Sequence, residues 1–294
     1  MLEKVEPLAV NRSLSVLSKV NATSLRLKPF PHLVIEDALN LDVANQLRSD
    51  FPKPEQIGVD QGLSNNRWDL SAHEIIGSEY ISDLWKQVIA YHTSNAFWSE
   101  IYGIFGKYLA KAESQLGTSL AAPRVGVRGS DSFESKQLLL DAQISGNTPV
   151  RETSSVRGTH IDKGDKIFSA LLYLRDNDDE STGGDFVIQR WRSGIPKKLR
   201  LSAYHEGMKA FRESVTVVPY RHNTLVFLLN SPDSLHAVTA RSQTASTRKF
   251  MNLVGVVPKN LYHVPDDNLI SRFSRKYRIF GTSQRLRNNL YGDC

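Results

Sequence analysis

The sequence predicts a fold that is mainly β with α: a helical layer first, then a β-sandwich or barrel, within one domain spanning 1–294. Three observations predict it. Apolar residues recur at intervals of three and four between Glu79 and Gly117. After Ala121 the texture changes to short runs rich in β-branched and aromatic residues, and clusters of Gly, Pro, Asn and Asp separate those runs. A chain of 294 residues with 40% hydrophobic content can bury a substantial core. It contains no internal repeat and no apolar run long enough to span a bilayer.

The elements follow in order. The opening stretch MLEKVEPLAVNRSLSVLSKVNATSLRLKPF has charges where a secretory signal requires an unbroken apolar core, so it does not read as one. HLVIED reads as one short extended piece, and the rest from Leu33 to about Gly117 reads as mainly helical. EYISDLWKQVIAYHTSNAFWSEIYGIFGKYLAKAESQLG predicts two successive amphipathic helices ending near Gly117, so about 1–120 is a helical lead-in and supporting layer. Strands are predicted in KQLLLDAQIS, KIFSALLYLR, GDFVIQRW, ESVTVVPY, NTLVFLLN and RKFMNLVGVV, which makes about 121–258 the β core. In the first of these, Asp141, Gln143 and Ser145 share one face and Leu138, Leu140, Ala142 and Ile144 the other. The polar face either meets water or lines a pocket inside the barrel.

Between two of the strands lies RSGIPKKLRLSAYHEGMKAFRE, a basic insertion within 190–213 and long for a loop. It reads either as a lid or specificity element favouring an anionic substrate, or as a solvated charge cluster. The segment at about 259–294 carries Arg272, Arg275, Lys276, Arg278, Arg285 and Arg287, with Phe273, Tyr277 and Phe280 at helical spacing. It predicts a docked C-terminal helix with a solvated basic face; the alternative is a surface for an anionic partner. This segment accounts for much of the formal net charge of +6, and no DNA- or RNA-binding motif accompanies it. Neither a nucleic-acid partner nor a membrane is therefore expected. The only cysteine is Cys294, so no intramolecular disulfide can form and a reducing cytoplasm is the expected compartment.

Chemistry concentrates in two stretches. His160 and Asp162 are two apart, so in extended backbone both side chains leave one face and can converge on a metal ion, while Ile161 points into packing. His236 follows the apolar run VFLLN and a Pro-containing turn, and supplies a third ligand. Two histidines and one carboxylate on one face of iron leave the opposite positions open for a bidentate 2-oxo acid and O₂. Twelve residues further, Arg248 lies on a strand, where its guanidinium can fork two hydrogen bonds onto a carboxylate. Burying it without an anion would be costly, so an anion is expected there. The 5-carboxylate of a metal-chelating 2-oxoglutarate fits. The remaining histidines, among them His32, His73, His92, His205, His222 and His263, lack such a context and read as structural or solvent-facing.

The order His-x-Asp, distal His, then Arg resembles the Fe(II)- and 2-oxoglutarate-dependent oxygenases of prolyl-hydroxylase-like type over roughly residues 136–257, with a weaker echo in FPHLVIEDALNLDVANQLRSDFP. The resemblance implies a double-stranded β-helix, a jelly-roll or cupin-like barrel with the site in its mouth. It also implies an enzyme that uses Fe(II), 2-oxoglutarate and O₂, by default to hydroxylate a C–H bond; the basic insertion inclines the substrate towards a small polar or anionic molecule. Tyr173 stands where the family often supports the 2-oxoglutarate carboxylate, though it also reads as ordinary core, and Gly183 and Gly184 match the turn before the next strand. Many relatives have Ser or Thr two residues after the arginine; here that residue is Phe250, and Asn252 either replaces the second anchor or contacts substrate. Gln143, Arg157 and Arg241 are the further substrate-binding candidates, with Arg241 alternatively bracing a Ser/Thr-rich turn. The presence of Asp162 disfavours halogenation. Action on a peptide residue, desaturation and cyclisation use the same ligands. A cupin-like metal enzyme would leave Arg248 unexplained, and a β-sandwich binding module would need no metal.

Overall fold

The computed structural model describes residues 11–21, 23–195 and 211–264. The expected C-terminal helix with Phe273, Tyr277 and Phe280, most of the basic insertion, His205 and Cys294 lie outside them.

The lead-in contains two short strands, β1 (Leu25–Arg26) and β2 (His32–Ile35), then α1 (Leu41–Ser49). Next come a four-residue strand β3 (Arg67–Leu70) and α2 (Ala72–Gly77). The stretch predicted as two helices forms three: α3 (Asp83–His92), α4 (Asn95–Phe105) and α5 (Ala110–Leu116). The breaks have local causes. The Ser94 hydroxyl caps α4 by accepting from the Phe97 amide, a 3₁₀ turn at Gly106–Tyr108 interrupts the path, and Gly117 ends α5 in the left-handed conformation.

The strands then follow: β4 (Val125–Val127), β5 (Leu138–Asn147), β6 (Lys166–Tyr173), β7 (Phe186–Trp191), β8 (Arg212–Val218), β9 (Thr224–Leu229), β10 (His236–Val238) and β11 (Arg248–Val256). The larger sheet has the order β1-β2-β9-β6-β11-β5-β3, with β4 added parallel to β5. The smaller sheet is β10-β7-β8 and antiparallel. The larger sheet has two coated faces. Even-numbered residues of β6 and odd-numbered residues of β9 pack against the helices, with Phe168 stacked on Phe227 at 4.9 Å and Phe227 on Phe105 at 5.1 Å. The opposite face meets the smaller sheet through Tyr173, Val226, Leu228 and Phe250 on one side and Phe186, Ile188 and Val218 on the other.

The fold is thus a mixed α and β structure with a helical layer on one face of the larger sheet. The two sheets are separate ladders rather than one closed barrel. On the polar face of β5, Asp141 and Ser145 are buried and Gln143 is half-buried, so that face is largely withdrawn from water. No helix among the described residues is long and apolar enough to cross a membrane.

Candidate active site

His160, Asp162 and His236 converge. One ligand atom from each lies within 4.8 Å of the others, and all three side chains are buried. Backbone pairing enforces the meeting: the His160 amide donates to the His236 carbonyl at 2.9 Å, and the His236 amide returns the bond at 3.0 Å. β10 pairs with β7, so His236 is carried on the smaller sheet, where Phe186 stacks on its ring at 5.2 Å. His160 and Asp162 lie on the irregular segment before β6, and Ile161 packs away from the cluster near Trp191 and Leu235.

Hydrogen bonds orient each ligand. Nδ1 of His160 donates to the Gly158 carbonyl and Nδ1 of His236 to the Ser234 carbonyl, both at 2.9 Å. A carbonyl can only accept, so each Nδ1 carries the proton and each Nε2 keeps its lone pair. The Ser169 hydroxyl donates to Asp162 Oδ2 at 2.6 Å, and the Asn230 amide donates to Ser169 Oγ at 2.9 Å. Lys166 Nζ lies 3.6 Å from Asp162 Oδ1. Burial, with Arg157 and His236 nearby, holds His160 well below its ordinary pKa, and burial also lowers that of His236. Burial opposes ionisation of Asp162, yet Lys166, His236, His160 and Arg157 outweigh it and hold the carboxyl well below the usual range. Two neutral imidazoles and one carboxylate are the protonation states that divalent iron binds. The donor set therefore fits such a metal.

Arg248 is 2% exposed. Its Nη2 donates to the Gly184 carbonyl at 2.8 Å and to the Tyr173 hydroxyl at 3.1 Å, and its Nε donates to the Gly184 carbonyl at 3.1 Å. The guanidinium lies about 5 Å from the rings of Tyr173, Tyr220 and Phe250. Among the described residues no acidic side chain forms an ion pair with it. Gly183 and Gly184 both have positive φ; a Cβ on Gly183 would stand 1.8 Å from the Ala240 carbonyl oxygen. That turn is what brings the Gly184 carbonyl to Arg248. Tyr173 is fully buried, as its ordinary-core reading required, and its hydroxyl is engaged by Arg248.

The other candidates divide. Gln143 and Asn252 are register partners on β5 and β11 and hydrogen-bonded to each other at 2.5 Å. Arg157 is exposed, close enough to the three ligands to influence their charge. Arg241 is 1% exposed, pairs with Asp179 at 2.8 Å and donates to Ser181 at 2.9 Å. These contacts tie it to the segment that holds Asp179 and Ser181. Sequence reasoning did not single out Ser169, Asn230 or Lys166. A serine breaking an otherwise apolar strand, on the same face as Tyr173, was the available signal.

No protein-family model and no curated protein matches the chain. Solved structures do resemble it. A prolyl-4-hydroxylase from Pseudomonas putida superposes with a TM-score of 0.43 at 11% identity, covering 77% of this chain and 92% of its own. A structure of prolyl 4-hydroxylases from Phytophthora capsici gives 0.44 at 14% identity, over 84% and 68%. The non-heme alpha ketoglutarate dependent epimerase SnoN from nogalamycin biosynthesis gives 0.37 at 14% identity, over 80% and 83%.

Proposed function

We propose that the protein is an Fe(II)- and 2-oxoglutarate-dependent dioxygenase, one catalytic domain on a double-stranded β-helix scaffold. It hydroxylates an unactivated C–H bond of a small polar or anionic molecule, releasing succinate and CO₂. The observation that carries this reading is a pair of buried features: a metal-ready His160, Asp162 and His236 cluster, and an Arg248 that lacks an acidic partner among the described residues. A molecule with a chelating 2-oxo acid at one end and a carboxylate at the other satisfies both. A reducing compartment such as the cytoplasm keeps the iron ferrous.

Nε2 of His160, Nε2 of His236 and the Asp162 carboxylate hold Fe(II). When bound, the iron with its co-substrate and O₂ supplies the oxidising power that no protein side chain has. The chain's own residues do the rest. Ser169 and Asn230 fix the Asp162 carboxylate so that it offers one orientation to the metal. Arg248 and the Tyr173 hydroxyl hold the distal carboxylate of 2-oxoglutarate and set the distance at which its other end meets the metal. Apolar Phe186, Ile188, Val226 and Leu228 line the space between the sheets and keep water from the reacting centre. Arg157 is exposed near the metal cluster, where it can draw in an anionic group of the substrate.

Anaerobic titration of the protein with Fe(II) and then 2-oxoglutarate tests the proposal. A weak visible metal-to-ligand charge-transfer band, lost in His160→Ala, is the expected result. Folded, iron-loaded protein without the band would overturn it.

A further inference from the structure

We infer that Asn252 is a specificity-determining residue, whose side-chain oxygen accepts a hydrogen bond from an N–H or O–H group of the substrate. The inference rests on the oxygenase reading and deepens it by naming a feature of the substrate.

A fixed hydrogen-bond polarity runs along a chain of three side chains, Asp141, Gln143 and Asn252. Asp141 Oδ1 accepts from the Ala72 amide at 3.0 Å, and Oδ2 accepts from Gln143 Nε2 at 2.9 Å. Arg128 Nη1 lies 3.8 Å from the same carboxylate. Burial lifts the Asp141 pKa, while the Ala72 amide and Arg128 favour the ionised form. With Oδ1 accepting from the Ala72 amide and the carboxylate facing the Arg128 guanidinium, Gln143 turns its NH₂ group towards Asp141 Oδ2. Its oxygen then faces β11, where it accepts from Asn252 Nδ2 at 2.5 Å. Asn252 must in turn present its nitrogen to Gln143, which leaves Oδ1 directed away from β5. Asn252 is 7% exposed, and its Oδ1 accepts no hydrogen bond from the described residues.

The position of that oxygen narrows its partner. On β11, Arg248, Phe250, Asn252 and Val254 alternate onto the interior face. Val254 is the register partner of Ser169, the residue that holds Asp162. Phe250, the next interior residue in the other direction, is the register partner of Tyr173 and leads to Arg248. Asn252 therefore stands between the metal level and the carboxylate level, about 7 Å along the strand from the interior residue on each side. Both carboxylates and the 2-oxo group of 2-oxoglutarate are acceptors, so the co-substrate has no donor for Oδ1. A substrate with a hydroxyl, ammonium or amide N–H beside the carbon to be oxidised does.

The test uses the full chain loaded with Mn(II) and 2-oxoglutarate, in wild type, Asn252→Leu and Asn252→Ala, with Asp141→Asn as the variant that frees the chain polarity. Calorimetry gives the 2-oxoglutarate affinity, and paramagnetic proton relaxation reports how closely two probes approach the metal: ethane-1,2-diol, with two donors, and 1,2-dimethoxyethane, with none. The expected result is 2-oxoglutarate affinity within about twofold of wild type, with diol relaxation falling about tenfold in both Asn252 variants, as loss of one hydrogen bond implies. The diether should show no site-specific relaxation, and Asp141→Asn should weaken the diol signal in part. A tenfold loss of 2-oxoglutarate affinity in the Asn252 variants would make Asn252 a co-substrate anchor and overturn the inference. So would diol relaxation that is unchanged by the variants, or no stronger than that of the diether. Failure of wild type to bind 2-oxoglutarate at all would sink the oxygenase reading, and this assignment with it.

Discussion

Replacing Arg248 with methionine separates the two halves of the proposed site. The methionine keeps packing against Tyr173, Tyr220 and Phe250 but removes the guanidinium, so the metal cluster is untouched. If Arg248 and the 5-carboxylate share two charge-assisted hydrogen bonds in a buried setting, their loss costs about 3–4 kcal/mol of binding, on the order of 10²–10³-fold in Kd. The apo protein should respond far less. The exchange removes a buried charge that lacks a counter-ion but leaves the Gly184 carbonyl without its donor, two opposing effects of similar size, so the Tm without ligand should change little. Wild-type Tm should climb with 2-oxoglutarate in the presence of Mn(II), and that climb should vanish in the variant. Calorimetry on metal-loaded protein, read beside the melting curves, checks both. A Kd within about threefold of wild type, with metal still bound, would refute the assignment of Arg248.

Three further outcomes follow from the same structure. Ser169→Ala frees Asp162 Oδ2 from its hydrogen bond and should weaken Mn(II) binding about tenfold, measured by competition with a chelating dye. Arg241→Ala removes the closer of the two cations beside the buried Asp179, leaving Arg175 at 3.5 Å, and should cost about 2 kcal/mol in urea unfolding while 2-oxoglutarate affinity is retained; an unchanged midpoint with altered ligand binding would favour a substrate-contact role. His92 is buried, accepts from the Val16 amide at 3.1 Å and has its pKa lowered by burial from 6.5 to about 4. Its folded value is depressed, so the stability tied to neutral His92 is present above pH 6.5 and is lost as pH falls from there towards 4, by up to about 3 kcal/mol. Urea midpoints across that window should drop in wild type and drop less steeply in His92→Gln.

The larger strands were legible in the sequence because each is a run of β-branched and aromatic residues longer than its punctuation; β6, β9 and β11 lie within two residues of the runs that predicted them. The short strands β1, β3 and β4 were not. RWDL and VGV have little pattern of their own and are strands because β5 offers them edges to pair with. The helical stretch was legible as helix but not as three helices, since Ser94 reads as a cap only when the chain turns there. At the site, His160, Asp162, His236 and Arg248 are readable because their chemistry restricts the residue type. Ser169 and Asn230 are not, because a hydroxyl and an amide inside apolar strands have many ordinary uses, and only the Asp162 carboxylate beside them gives them this one. The two readings of the polar face of β5 were separated by burial, which depends on what the rest of the chain lays over that face and is not written in the strand itself.

The central claim is that this interior oxidises 2-oxoglutarate with O₂ at iron held by His160, Asp162 and His236. Incubating the Fe(II)-loaded protein with 2-oxoglutarate under ¹⁸O₂ and weighing the succinate by mass spectrometry tests it most directly. The account predicts succinate carrying one ¹⁸O atom, formed slowly even without added substrate, and absent in His160→Ala. Unchanged 2-oxoglutarate, or succinate without the label, from folded and iron-loaded protein would contradict it.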